Sequence, residues 1–215
     1  LPPLLKGQRT LLLERFTVAG WHDHLLRYRP RMSGLPPAGV QMVMDANIPV
    51  EDLSCLQAMG TGAAPLDPLV KQSFEKRYGV PILVSYGATE FGGPVTRMMP
   101  VDQQRWAQQK QGSVGRALPG VKLRIVDQET GAALATGNEG LLEVISPRIG
   151  SDWIRTSDLA KLDEDGFLFV LGRADGAINR GGFKILPATV EHALLQHPAI
   201  SAAAVVAIPD PRLGQ

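Results

Sequence analysis

Residues 67–90 read DPLVKQSFEKRYGVPILVSYGATE, and the order of signals in this stretch decides the fold. Asp67-Pro68 is a helix start: the carboxylate can accept from a first-turn N–H, and proline at the first helical position lacks only a donor that would have had no intrahelical partner. Val70, Phe74 and Tyr78 then recur every four residues along one helix face, and Gly79 supplies the stop. Residues 81–86 follow as an apolar run of strand length. With a further strand read at 55–59, this is a strand–helix–strand unit, the rhythm of an α/β layered domain in which helices cover a sheet.

The alternation extends upstream. The three leucines 11–13 read as a buried strand. Thr17 is an N-cap for a helix that carries Val18, Trp21, Leu25 and Tyr28 up to Pro30, and Pro36-Pro37 open another that turns Val40, Val43 and Met44 inward. Downstream, from about Gly112, short strands with turn signals take over, at 121–126, 141–145, 159–162 and 167–171. Asp163-Glu164-Asp165-Gly166 joins the last two as a hairpin. Beyond Gly172 a glycine-rich loop leads to a helix over 187–196 and a strand over 201–208. The expected division is an α/β part (residues 1–111), a β-rich part (112–174) and the beginning of a small further lobe (175–215).

Composition sets the outer bounds. Of 215 residues 44% are hydrophobic and 20% charged, which suits a packed interior. Lysine plus arginine (22) nearly cancels aspartate plus glutamate (21), so neither nucleic acid nor an anionic membrane is expected as the main partner. The longest apolar stretch, 199–208, is far short of the ~20 residues that cross a bilayer, so no transmembrane segment is expected. The single Cys55 can close no internal disulfide and, with four histidines, builds no cysteine-rich zinc site; a cytoplasmic location follows as the default. No basic-then-apolar leader follows Leu1, and the chain is read as a fragment.

Two glycine-bearing turns carry the candidate chemistry. In Thr61-Gly62-Ala63-Ala64-Pro65-Leu66, four small residues after a strand leave the backbone open to a flat ring or a carboxylate; an ordinary strand-to-helix turn has the same composition. In the second turn, 85–93, Tyr86 offers a ring face, Thr89 a hydroxyl and Glu90 a carboxylate suited to a hard cation such as magnesium. The plainer readings are a core aromatic at a strand end and a solvated acid. His22 and His24, two apart on a helix, point away from each other, which argues against a metal site. His192 and His197 read as surface residues, and Cys55 as a small buried hydrophobe. Met42, Met44, Met98 and Met99 read as core or pocket lining.

Taken in order, Gly62-Ala63-Ala64-Pro65-Leu66, Tyr86-Gly87-Ala88-Thr89-Glu90, Arg155-Thr156-Ser157-Asp158, Asp165-Gly166-Phe167, Gly172-Arg173 and Arg180-Gly181-Gly182-Phe183-Lys184 resemble the adenylate-forming superfamily. That superfamily comprises acyl-CoA synthetases, firefly-type luciferases and peptide-synthetase adenylation domains. The stretch from Ser146 to Arg155 and the ending from Val205 to Gly214 are most similar to fatty or aromatic acyl-CoA ligases. The resemblance implies part of the large domain of such an enzyme (an α/β subdomain and a small β-rich one), followed by the start of a small α+β C-terminal lobe.

It also implies a function: an AMP-forming acyl-CoA synthetase that activates a fatty or aromatic acid with ATP to an acyl adenylate and passes the acyl group to CoA. The rivals are an adenylation domain that loads a carrier protein and a non-catalytic nucleotide-binding relative. By resemblance, Gly62, Ala63 and Ala64 lie against adenine and the acyl carboxylate, Tyr86 with Gly87 against the adenine ring, Thr89 on a phosphate oxygen and Glu90 on magnesium. Thr89 and Glu90 are then the catalytic pair. Asp158 takes both ribose hydroxyls, Arg173 is a second ribose contact, Asp175 is the hinge to the C-terminal lobe, and Gly181 and Gly182 approach the pantetheine arm, with Lys184 just beyond. ATP or AMP, magnesium and CoA are the implied cofactors. Three features depart from the pattern: Gly176 stands where a second hinge acid is common, no Ser/Thr/Gly-rich phosphate loop precedes Thr61, and no lysine follows Lys184. Loss of both ends of a longer enzyme accounts for the last two and predicts that these 215 residues bind AMP weakly and show negligible adenylation.

Overall fold

The structure, a computed structural model, describes residues 2–5, 7–180 and 183–208; the side chains at 2, 3, 175, 179, 180, 183 and 184 lie outside that description. After a single turn, α1 (Pro2–Leu5), come α2 (Val18–Tyr28), β1 (Met32–Gly34), α3 (Pro37–Asp45), β2 (Ala58–Thr61), α4 (Pro68–Tyr78) and β3 (Ile82–Ala88). Next are β4 (Gly93–Arg97), α5 (Pro100–Trp106) and β5 (Arg116–Ala117). The caps are those the sequence announces. Thr17 accepts from the Gly20 N–H at 3.0 Å, Asp67 accepts from the Leu69 N–H at 2.6 Å, and proline opens α3 and α4.

β1 to β5 form one sheet in that order, parallel from β1 to β3 and antiparallel from β3 to β5. Alternation along β3 divides its side chains. Ile82 and Val84 turn to the helices and join Trp21, Leu25, Val40, Val43, Leu53, Phe74 and Tyr78, while Leu83 turns to the opposite face with Ala58, Met98 and Phe167. Full burial of each such side chain contributes about 1.5–3 kcal/mol.

The second sheet is an antiparallel meander: β6 (Lys122–Val126), β7 (Gly140–Ile145), β8 (Ile154–Leu162) and β9 (Leu168–Arg173). Residues 113–117 join the two sheets. Arg97 faces Arg116 in β4–β5, while on the other side the Val114 N–H donates to the Leu168 carbonyl and the Leu168 N–H donates to the Gly115 carbonyl, both at 2.9 Å. The expected Asp163–Gly166 hairpin is present, and the Lys110 ammonium pins it at 2.7 Å from Asp163 and 2.5 Å from Asp165. A short hairpin, β10 (Ile178–Arg180) with β11 (Phe183–Ile185), and α6 (Pro187–Leu195) follow.

Several expected elements differ. Residues 11–13 and 201–208 form no strand: Leu12, Val206 and Ile208 are each more than 70% exposed, and among the described residues no strand pairs with either run. The strand expected at 55–59 begins at Ala58 and runs to Thr61, so Cys55 lies half-buried in a turn rather than inside a strand. Met42 and Met99 are exposed, whereas Met98 is buried. Among the described residues, no helix is long and apolar enough to cross a membrane.

Glu143 ties three strands of the second sheet together. One carboxylate oxygen accepts from Arg124 at 2.6 and 2.7 Å, the other from Arg155 at 2.7 Å, and the Arg124 guanidinium lies 4.1 Å from the centre of the Trp153 ring. Burial alone would raise the Glu143 carboxyl, but Arg155 and Arg124 outweigh it and hold the group below its ordinary value of 4.5. Asp163 is likewise held below 3.8, because Lys110 and the Phe167 and Asp165 N–H groups outweigh burial. Both carboxylates therefore contribute stability that is present above the unfolded values and is lost as pH falls through the lower folded ones. The urea midpoint is expected to drop between about pH 5 and pH 3, and in Glu143→Gln to drop less. An equal drop in both proteins would show that Glu143 carries none of the acid sensitivity.

Candidate functional site where the two sheets meet

The C-terminal ends of β2 and β3 meet where the candidate turns lie, the place where open α/β sheets hold ligands. The turns touch each other directly. The Ser85 hydroxyl donates to the Thr61 carbonyl at 3.1 Å, and a Cβ on Gly62 would stand 2.7 Å from the Ser85 hydroxyl oxygen and 2.9 Å from its carbonyl oxygen. Glycine at 62 thus lets the first turn close onto the second. Ala63 adopts φ 69°, a left-handed conformation costly for a residue with a Cβ. The Thr61 hydroxyl is buried with no hydrogen-bond partner among the described residues. Strain and an unsatisfied polar atom side by side are features that gather at functional sites.

Beyond Ser85, the β3–β4 pairing shifts register between Tyr86 and Gly87. A Cβ on Gly87 would fall 2.4 Å from the Pro94 Cα, so only glycine lets β4 lie this close. The shift sets the Tyr86 ring half-buried against Phe91, ring centres 6.1 Å apart, with its hydroxyl directed to the second sheet. There the Tyr86 hydroxyl donates to the Asp158 carboxylate. Asp158 stands opposite Arg173 in the β8–β9 register. Burial first, then Asp158 and Glu90, push the Tyr86 phenol far above its ordinary value, so it remains a donor at any physiological pH.

Thr89 and Glu90 form an exposed helical turn, Thr89–Phe91, after β3. The Glu90 carboxylate is close enough to act on the Tyr86 phenol, yet makes no hydrogen bond or ion pair with another described residue. Gly62, Tyr86, Gly87, Glu90 and Asp158 are therefore brought together, with Ala63, Ala64, Thr89 and Arg173 on the adjoining backbone. Asp175 lies in the turn Ala174–Gly176 with its side chain outside the description, as is the side chain of Lys184 in β11, and Gly181 and Gly182 lie outside the described residues.

Two contributors lie within the quoted stretches but have no role assigned to them there. The Thr156 hydroxyl donates to the Leu142 carbonyl at 2.9 Å and accepts from the Asp158 N–H at 3.0 Å, which fixes the backbone beneath the acid. The buried Phe91 ring packs against that of Tyr86. A hydroxyl two residues before an acid is a sequence signal for the first; the second has none beyond being aromatic.

Comparison with known proteins identifies the family. Residues 1–151 match the family model described as AMP-binding enzyme. The chain belongs to the AMP-binding enzyme family. It is 34% identical over 227 residues to 4-coumarate–CoA ligase-like 6 of Oryza sativa subsp. japonica, covering 97% of this chain and 37% of that protein. It is 33% identical over 232 residues to peroxisomal OPC-8:0-CoA ligase 1 of Arabidopsis thaliana, covering 99% and 42%. Among solved structures, ATP-bound MatB from Rhodopseudomonas palustris superposes with a TM-score of 0.87 at 25% identity, over 99% of this chain and 44% of that one. The chain thus spans about two fifths of the length of the curated relatives it matches. Membership in this family agrees with the α/β and β-rich architecture and with the superfamily that the ordered motifs resemble.

Proposed function

We propose that this chain supplies the adenylate-holding cleft of an ATP-dependent acid–thiol ligase that converts a carboxylic acid to its acyl adenylate and then to its CoA thioester. The observation that carries the reading is that Tyr86 and Asp158, from different sheets, meet directly, with the Glu90 carboxylate in reach of the same phenol. Adenosine presents a flat ring and a diol. The Tyr86 ring meets the first, and the Asp158 carboxylate, with two acceptor oxygens and Arg173 opposite, meets the second. Gly62, Ala63 and Ala64 leave a flat backbone surface for the base and the acyl carboxylate, and Thr89 bonds a phosphate oxygen.

A carboxylate is a poor acyl donor because its leaving group would be oxide, whereas AMP leaves readily. Glu90 fits a magnesium ion: it is an exposed carboxylate without a hydrogen-bond or ion-pair partner among the described residues, and magnesium bound to nucleotides takes one or two carboxylates and fills its remaining positions with water and phosphate oxygens. Such an ion would neutralise charge developing on the phosphates. The acid is of the fatty or aromatic class, a reading supported by the names 4-coumarate–CoA ligase-like and OPC-8:0-CoA ligase among the relatives. Asp175 serves as the hinge ahead of the C-terminal lobe, and Gly181 and Gly182 approach CoA. Cys55 fits a reducing compartment, of which the cytoplasm is the default.

The test is ATP–pyrophosphate exchange and thioester formation. The 215 residues alone are expected to bind AMP with negligible exchange. A product of the same gene that spans the full length of the relatives is expected to exchange with an aromatic or fatty acid and to acylate CoA. In that product Glu90→Gln should slow adenylation by about a hundredfold, the scale of losing one electrostatic stabiliser of the transition state. A full-length product that binds AMP but exchanges with no acid would remove the reading.

A further inference from the structure

The chemistry of the cleft assigns the Tyr86 ring to a base, but the structure gives its hydroxyl a separate task. We propose that the Tyr86 hydroxyl is a positioning group that orients Asp158 for a vicinal diol, so that preference for a complete ribose depends on a phenol lying outside the ribose itself. The inference rests on the adenylate reading of this cleft and adds a specificity determinant to it.

Asp158 is fixed from two directions. Its backbone is held from beneath, because its N–H donates to the Thr156 hydroxyl at 3.0 Å and that hydroxyl donates to the Leu142 carbonyl of β7 at 2.9 Å. Neither bond restrains the carboxylate, which could still rotate about its side-chain torsions. A restraint on the carboxylate itself comes from the other sheet, 72 residues earlier in the chain, where the Tyr86 hydroxyl donates to Oδ2. That contact occupies one lone pair and sets the carboxylate plane, leaving Oδ1 to accept from a diol. A carboxylate already held spends less conformational freedom when a ligand arrives. The phenol cannot be a switch in this role, since burial and the neighbouring Asp158 and Glu90 carboxylates keep its proton in place. Thr156 also touches the phenol, so one compact set of hydroxyls surrounds the acid.

The consequence separates the hydroxyl from the ring. Tyr86→Phe keeps the ring face and its packing on Phe91 while removing the restraint on Asp158. If the hydroxyl acts through Asp158, its loss is felt only by ligands that carry the diol.

Calorimetric titration with AMP and with 2′,3′-dideoxy-AMP provides the test, on the wild-type chain, Tyr86→Phe, Asp158→Asn and the double variant. The wild type is expected to prefer AMP by about tenfold or more, the scale of hydrogen bonds to a charged acceptor. Tyr86→Phe should lose most of that preference through weaker AMP binding, with dideoxy-AMP affinity unchanged within about twofold. Asp158→Asn, close in shape, reads the same coupling from the other partner, and the double variant should be no worse than Asp158→Asn alone. Equal weakening of both nucleotides by Tyr86→Phe, or an undiminished preference for AMP, overturns the positioning role. A wild type that takes the two nucleotides equally overturns the ribose assignment of Asp158 and this inference with it. A preference for AMP abolished by Asp158→Asn but kept by Tyr86→Phe removes only the role of the hydroxyl.

Discussion

Gly87→Ala is expected to cost about 3 kcal/mol of stability, at or beyond the upper end of ordinary overpacking, and to weaken AMP binding by at least about tenfold. The reason is the identity of the atoms in the way. A Cβ at 87 would stand 2.4 Å from the Pro94 Cα, 2.5 Å from the Gly93 carbonyl oxygen and 2.8 Å from the Gly93 carbonyl carbon. All three belong to backbone, so no side chain can swing aside; β4 has to move off β3 where the register already shifts. Tyr86, one residue away, would be displaced from Asp158. Gly150→Ala is the control, because a Cβ there has nothing within 4 Å and should change neither property. Urea unfolding and AMP titration of both variants decide it, and a Gly87→Ala protein with wild-type values would mean that the β3–β4 contact is not tight.

Phe167→Ala is the larger perturbation of the fold. The ring is fully buried between the sheets among Ala58, Leu83 and Met98, with the Trp106 ring 6.0 Å away, the Arg116 guanidinium 4.4 Å from its centre and the Lys110 ammonium 5.3 Å from it. Removing a buried phenylalanine costs about 3–5 kcal/mol through lost burial and the cavity left behind. For a chain of this size that lowers the melting temperature by roughly 6–20 °C. The cost should also appear as weaker AMP binding, because Tyr86 and Asp158 belong to different sheets and their meeting depends on how those sheets pack. Calorimetric melting, with and without AMP, measures both. A loss below about 1 kcal/mol would show that the sheets do not pack through this ring.

Legibility in the sequence followed the range of each signal. Thr17 and Asp67 announce helices because each side chain accepts from an N–H within three residues, and Pro37 because its fixed φ suits a first helical turn; all three helices begin there. The leucines 11–13 and the apolar run 201–208 have strand composition, yet a strand also needs an edge to pair with, which composition does not report. β4 passed unread because Gly93-Pro94 resembles a loop; it is held by distant partners, β3 and β5. The candidate site was legible as a set of residues through the order of its motifs. What no motif contains is the bond from Tyr86 to Asp158 across 72 residues, or the unpartnered Thr61 hydroxyl, since both arise only when the two sheets come together.

The short stretch 113–117 gives the molecule a mechanical property. It belongs to both sheets at once, through Arg116 on Arg97 and through Val114 and Gly115 on Leu168. A seam stitched on both sides ties the sheet that carries Tyr86 to the sheet that carries Asp158, so a shift of one is passed to the other.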